Sequence, residues 1–182
     1  MAAYNYELKP FDALTMAATR NAWEKELSNR EGEVLPPRYE RILDWAEGHI
    51  DYAAGRIETL AYGIFGRSAH DADAIVELIY TKAGEKWLKL LDLHLSPSVD
   101  FAFSTQDVDI IRLNSIFAAG VDGTVRLTST MHPSNVTKVY GRSGTLLSSL
   151  KEVGTFAESS PWPGLKVSIE GRWLVLRDEW EV

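Results

Sequence analysis

The sequence predicts a single α/β domain of the mixed, α+β kind, with two helices ahead of a meandering sheet. Three observations predict it. The 182 residues are enough to bury a core, and no Gly-, Pro- or Ser-rich linker divides them, so residues 1–182 read as one domain. Two stretches with helical spacing come early, and runs of β-formers bounded by turn residues follow. A strand–helix–strand passage in the second half implies a crossover and locally parallel pairing.

The elements follow in order. Tyr4 to Lys9 alternates and ends at Pro10, which predicts a first strand. Asp12 is placed to cap a helix running to about Ser28, with Met16, Trp23 and Leu27 near one face. Residues 29–35 are a loop. Pro36 and Pro37 suit the first turn of a second helix, predicted to continue to Ala54 and stop at Gly55. Tyr39, Ile42, Ala46, Ile50 and Ala53 mark its buried side. Strands are predicted over 56–65, 74–82 and 86–96, the last two joined by Ala83-Gly84-Glu85. Val108 to Gly120 reads as a third helix and Asp122-Gly123 as a turn. Thr124 to Thr130 is predicted to be a strand and Ser134 to Glu152 a fourth helix, broken near Gly141 or Gly144. Leu165 to Arg177 reads as a strand pair around Glu170-Gly171, its Trp173–Leu176 run covered on both faces.

Composition narrows the function classes. The net charge is −7 with no Lys/Arg cluster, which disfavours nucleic-acid binding and suits a cationic acceptor such as an amine. There are no cysteines, so disulfides, thiolate catalysis and Cys-based zinc sites are excluded. The first residues lack the apolar run of a signal peptide, and no apolar stretch is long enough to cross a bilayer. A cytoplasmic location, in a bacterium or an infecting phage, is the expectation. No Gly-x-Ser-x-Gly, P-loop or dinucleotide fingerprint occurs.

A few residues carry chemistry. Asp92 and His94 stand two apart on a predicted strand, so they share a face that is either a reactive pair or a partly solvated surface. Glu77 interrupts an apolar strand and needs a polar partner if buried, with Lys89 across the hairpin as one choice. His70, Asp71 and Asp73 are metal-ligand types in a turn, without a partner at zinc-site spacing. His49 and His132 stand alone. Glu31 and Glu33, in the loop after the first helix, either receive an amine or are simply solvated.

The element order, β-α-α-β-β-β-α-β-α-β-β, resembles that of the GNAT N-acyltransferases across residues 4–177. Local strings add to it. Trp87 to Pro97 resembles the family's β4 with its apolar-Pro end, and Gly123 to Thr130 resembles β5. Leu150 to Phe156 looks like the end of α4 and Gly171 to Leu176 like β7. The resemblance implies a mixed, mostly antiparallel sheet with helices on both faces. It also implies acetyl-CoA as cofactor and direct acetyl transfer to a small amine or a protein amine. Asp92, His94 and Glu77 are then candidate bases, and Tyr140 a proton donor to the thiolate, or else a core Tyr with a hydrogen-bonded tip. Leu93 and Leu95 are implied at the cofactor's acyl end, and Ser104, Thr105 and Gln106 at its pyrophosphate. The family's glycine-rich pyrophosphate loop is replaced by Ser98 to Asp107, which has no glycine, no basic residue, and acids at Asp100 and Asp107. The alternative expectation is therefore a GNAT-like module without catalysis that binds a protein, such as a phage effector on a host target, through Trp162 and Trp180. A homodimer is a further expectation.

Overall fold

The computed structural model describes residues 6–28, 37–50, 57–100, 110–142, 147–148, 150–151 and 164–178. Strand β1 is Tyr6–Pro10; helices α1 and α2 are Ala13–Ser28 and Pro37–Glu47. Strands β2, β3 and β4 are Ile57–Gly66, Ala72–Thr81 and Trp87–Leu95. Helix α3 is Ile110–Thr128, and strands β5, β6 and β7 are Val136–Tyr140, Leu165–Glu170 and Trp173–Asp178. The strands form one sheet in the order β1-β2-β3-β4-β5-β7-β6. It is mostly antiparallel, with β4 and β5 parallel, Trp87 opposite Val136 through Leu90 opposite Val139. The predicted mixed α/β class, its two early helices and its one parallel passage are all present. None of the described helices is long and apolar enough to cross a membrane.

By compactness the chain divides into two units. One comprises Met1–Ala53, Leu60–Glu77 and Leu93–Gly123; the other comprises Ala54–Thr59, Leu78–Asp92 and Thr124–Val182. The first unit is built on α1 and α2. Asp12 caps α1 as its side chain predicts, Oδ1 accepting from the Thr15 amide at 2.7 Å. Met16, Trp23 and Leu27 of α1 and Tyr39, Ile42, Leu43 and Ala46 of α2 pack with Phe11, Ala61, Phe65 and Ile75 into one apolar cluster. Helix α1 also grips the first residue of β3. Thr19 Oγ1 accepts from the Ala72 amide at 2.9 Å, and Trp23 Nε1 donates to the Ala72 carbonyl at 2.8 Å. The two side chains stand four apart, on one helix face. In the second unit, Leu88, Leu90, Thr137, Val139, Leu174 and Leu176 make a buried sheet face. β7 turns back on β6 at Gly171, whose φ of 62° is in the left-handed region.

Three predicted elements differ. Helix α2 ends at Glu47 rather than Ala54. The Gly48 amide takes the last full turn's bond from Asp44, and the His49 amide reaches back only three residues to Ala46, which tightens and closes the helix. Residues 51–55 lie outside the described residues. The predicted strand Thr124–Thr130 is the end of α3, which runs through Gly123 to Thr128. Gly123 is not a turn residue. A Cβ there would stand 2.4 Å from the Leu8 Cβ, so the glycine lets α3 lie close on β1. Burial of Thr124, Val125 and Leu127 outweighs the modest helix preference of β-branched residues. The strand that pairs beside β4 is instead Val136–Tyr140, within the predicted fourth helix. Of that helix, residues 147, 148, 150 and 151 are helical. Val136-Thr137-Lys138-Val139-Tyr140 has neighbours on both edges, β4 and β7, and a five-residue run with both ladders filled is a strand.

Candidate active site

In the first unit the chain leaves β4 through a turn of helix at residues 97–100. Pro97 suits the first helical position because its missing amide is one the turn would leave unpaired. The other amides of that turn are committed. Ser98 N donates to Glu26 Oε2 at 2.9 Å, and Val99 N and Asp100 N both donate to the Ser96 carbonyl. Glu26 stands one turn beyond Trp23 on α1, so the same docking that buries Trp23 sets a carboxylate at this helix start.

Beside the turn lies a cleft of about 170 Å³ lined by Arg38, Tyr39, Ile42, Leu93, His94, Leu95 and Asp100. The first turn of α2 supplies Arg38 and Tyr39, and β4 supplies the other wall. The Asp100 carboxylate accepts through Oδ2 from both the Tyr39 hydroxyl, at 2.5 Å, and the Arg38 guanidinium. The guanidinium lies 4.9 Å over the Tyr39 ring. Burial raises the Tyr39 hydroxyl well above its ordinary value, with the Asp100 bond acting the same way, so it stays a donor. Burial also holds the His94 imidazole below its ordinary 6.5; the Glu77 carboxylate opposes this and Arg38 adds to it. The cleft thus contains an imidazole that is neutral at neutral pH, within the fields of one acid and one base.

His94, Leu93 and Leu95 therefore meet in one cleft, and Glu77 acts on His94 through its charge. Asp92, although two residues from His94, has a different setting. It is buried in the second unit and ion-paired with Arg142, just past the end of β5. Arg172 fixes that segment, donating from Nε to the Gly141 carbonyl at 2.8 Å. Tyr140 is not on a helix. It ends β5, with its ring 4.8 Å from that of Trp173, because the run that holds it is a strand. Lys89, the partner considered for Glu77, lies 3.7 Å over the Trp87 ring. Ser104, Thr105, Gln106, Glu31, Glu33, Trp162 and Trp180 lie outside the described residues. Asp73 of the acidic turn is held by the Tyr6 hydroxyl at 2.5 Å and by Arg112 at 2.9 Å. No group of metal-ligating side chains occurs among the described residues. His49 stacks on Trp45, and His132 is buried against Tyr80.

Sequence reasoning did not single out Arg38 or Glu26; it placed Tyr39 only on the buried side of the second helix, and it read Asp100 only as a charge hostile to a diphosphate. The signal available was the Arg-Tyr pair directly after Pro37, at a helix start, with Tyr39 buried and Arg38 exposed beside it. Nothing in the sequence joins them to Asp100, 62 residues away from Arg38.

No family model and no curated protein sequence matches this chain. Solved structures do resemble it. One is an acetyltransferase of the GNAT family from Staphylococcus aureus Mu50, with a TM-score of 0.45 and 8% identity over 96% of this chain and 99% of that one. Another is the PaiA N-acetyltransferase of Thermoplasma acidophilum in complex with coenzyme A, with a TM-score of 0.31 and 13% identity over 97% and 99%. An acetyltransferase from Thermus thermophilus has a TM-score of 0.35 and 16% identity over 96% and 98%. Among the described residues the elements of this chain run β-α-α-β-β-β-α-β-β-β.

Proposed function

We propose that this chain transfers an acyl group from acetyl-CoA to the nitrogen of an amine, with His94 as the base. The observation that carries the reading is the cleft at the end of β4, where a half-buried neutral imidazole stands under the influence of Glu77. An amine is protonated at neutral pH and must lose a proton before it can attack. His94 is unprotonated there and able to accept that proton on a ring nitrogen. The Glu77 carboxylate favours the imidazolium that results. Asp92 suits the task less well, because its carboxylate is already engaged by the Arg142 guanidinium.

Acetyl-CoA would supply an acyl group activated as a thioester. The fit of the described residues to it is divided. Leu93 and Leu95 give an apolar wall for its acyl end. The amides of Ser98, Val99 and Asp100 give no cradle for its diphosphate, because Glu26 and Ser96 already hold them. Ser104, Thr105 and Gln106 remain the candidates for that end.

The test is release of free thiol from acetyl-CoA in the presence of amines, with calorimetric titration of the donor alone. The wild-type chain should bind acetyl-CoA and release thiol only with an amine present. His94→Gln should keep donor binding and lose about 10²–10⁴-fold in rate. Folded protein that gives no heat at millimolar acetyl-CoA would sink the reading and leave the non-catalytic protein-binding module in its place.

A further inference from the structure

We infer that the cleft selects an acceptor carrying both an ammonium and a carboxylate, a small free amino acid, with Asp100 receiving the ammonium and Arg38 the carboxylate. This rests on the acyl-transfer reading for its consequence, but the recognition is argued from the cleft alone.

Arg38 is well prepared for an anion. Its side chain is 58% exposed at the rim, yet its plane is fixed by the Tyr39 ring beneath it and by the bonds from Nη2 to Tyr39 and Asp100. Those bonds use only Nη2. Among the described residues, Nε and Nη1 have no hydrogen-bond partner. A guanidinium has five N–H donors, so those on two of its nitrogens remain for a ligand on a group that has little freedom left to lose. Asp100 is the complement. Both of its bonds fall on Oδ2, and Oδ1 has no partner among the described residues. A carboxylate has about four lone-pair sites, so Oδ1 has capacity left among the described residues.

One cationic donor and one anionic acceptor that are unused among the described residues thus line the same small space. A simple amine would satisfy Asp100 but bring a second positive charge beside Arg38. A simple carboxylate would satisfy Arg38 but crowd Asp100. A zwitterion satisfies both and leaves no charge uncompensated. The volume agrees, since about 170 Å³ is well below the 300–1,000 Å³ usual for larger ligands. His94 lines the same cleft, so an ammonium held by Asp100 would share that space with the imidazole.

The experiment measures binding without acetyl-CoA, by NMR titration of the His94 and Tyr39 resonances with L-alanine, ethylamine and propionate. The last two are alanine without its carboxylate and without its amine. Alanine should bind at millimolar concentration, and each analogue should be at least about tenfold weaker. Arg38→Met should bring alanine down to the level of ethylamine, and Asp100→Asn to that of propionate; Arg38→Lys, which keeps the charge with fewer donors, should fall between. Alanine binding no tighter than ethylamine, or a preference that survives Arg38→Met in folded protein, overturns the inference. The two readings fail separately. A chain that prefers alanine but never consumes acetyl-CoA keeps this one and loses acyl transfer. A chain that acylates ethylamine as readily as alanine does the reverse.

Discussion

Removing the Thr19 hydroxyl should destabilise this protein far more than its small size suggests. Thr19 is fully buried, and its oxygen is the acceptor for the Ala72 amide while donating to the Thr15 carbonyl at 2.8 Å. Valine keeps the shape and deletes both bonds. The Ala72 amide would then be buried without a partner, at a cost of about 1–3 kcal/mol. Serine keeps the oxygen and removes one methyl, worth about 0.8 kcal/mol. Thr19→Val should therefore lie below Thr19→Ser in stability. Trp23→Phe strands the carbonyl of the same residue, Ala72, and leaves a cavity beside Tyr39; it should cost about 2–4 kcal/mol. Because both side chains hold the backbone of one residue, the double variant should depart from additivity by at least about 0.5 kcal/mol. Urea denaturation gives the numbers, and thermal melts should fall by about 2–4 °C for each kcal/mol in a chain of this length. Hydrogen exchange at the Ser98 amide should quicken in the same variants, since Glu26 rides on the same helix. Thr19→Val within about 0.5 kcal/mol of wild type, or more stable than Thr19→Ser, would refute the view that α1 is fastened to β3 by these bonds.

Other predictions concern the cleft and the packing. The His94 imidazole should titrate below 6.5 by NMR, and Glu77→Gln should lower its midpoint further, since the Glu77 charge is what raises it; an unmoved midpoint contradicts the pairing. The sign for activity follows: the rate should fall as pH drops through that midpoint, and this acid limb should vanish in His94→Gln. The sign for stability is the same, because the fold disfavours the imidazolium and so loses stability as pH falls below the ordinary value. Gly123→Ala should cost about 1–3 kcal/mol despite the better helix propensity of alanine, since its Cβ would meet Leu8; adding Leu8→Ala should recover part of the loss, measured by denaturation. Tyr6→Phe should cost about 1 kcal/mol by removing the bond to Asp73, and ultraviolet titration of the wild type should find one tyrosine ionising only near its raised value of about 12.

Much of the fold was legible because it depends on local physics. Asp12 caps α1 since its side chain reaches an amide three residues on, and no distant residue is needed. The hairpins at Gly84 and Gly171 both turn on left-handed glycines, at φ 71° and 62°. The stretch from 124 to 140 was decided by neighbours. Thr124–Thr128 is rich in β-formers yet is helical because it is buried as the last turns of α3, and Val136–Tyr140 is a strand because edges wait on both sides of it. The site divides the same way. Alternation along β4 put His94 among the candidates, but it also joined Asp92 to it, and only the structure gives that carboxylate to Arg142.

What the sequence alone determined, then, is the mixed α/β class, the two helices ahead of the sheet, the parallel passage after β4, and the interest of its far end. These follow from spacing, caps and turns, which act over a few residues. Tertiary structure decided which strand lies beside β4 and which charges meet. Arg38 and Asp100, and Glu26 and Ser98, are brought together over 62 and 72 residues by the docking of α1 and α2. No periodicity records such a meeting, because it depends on how helices seat on a sheet and not on what either segment prefers by itself.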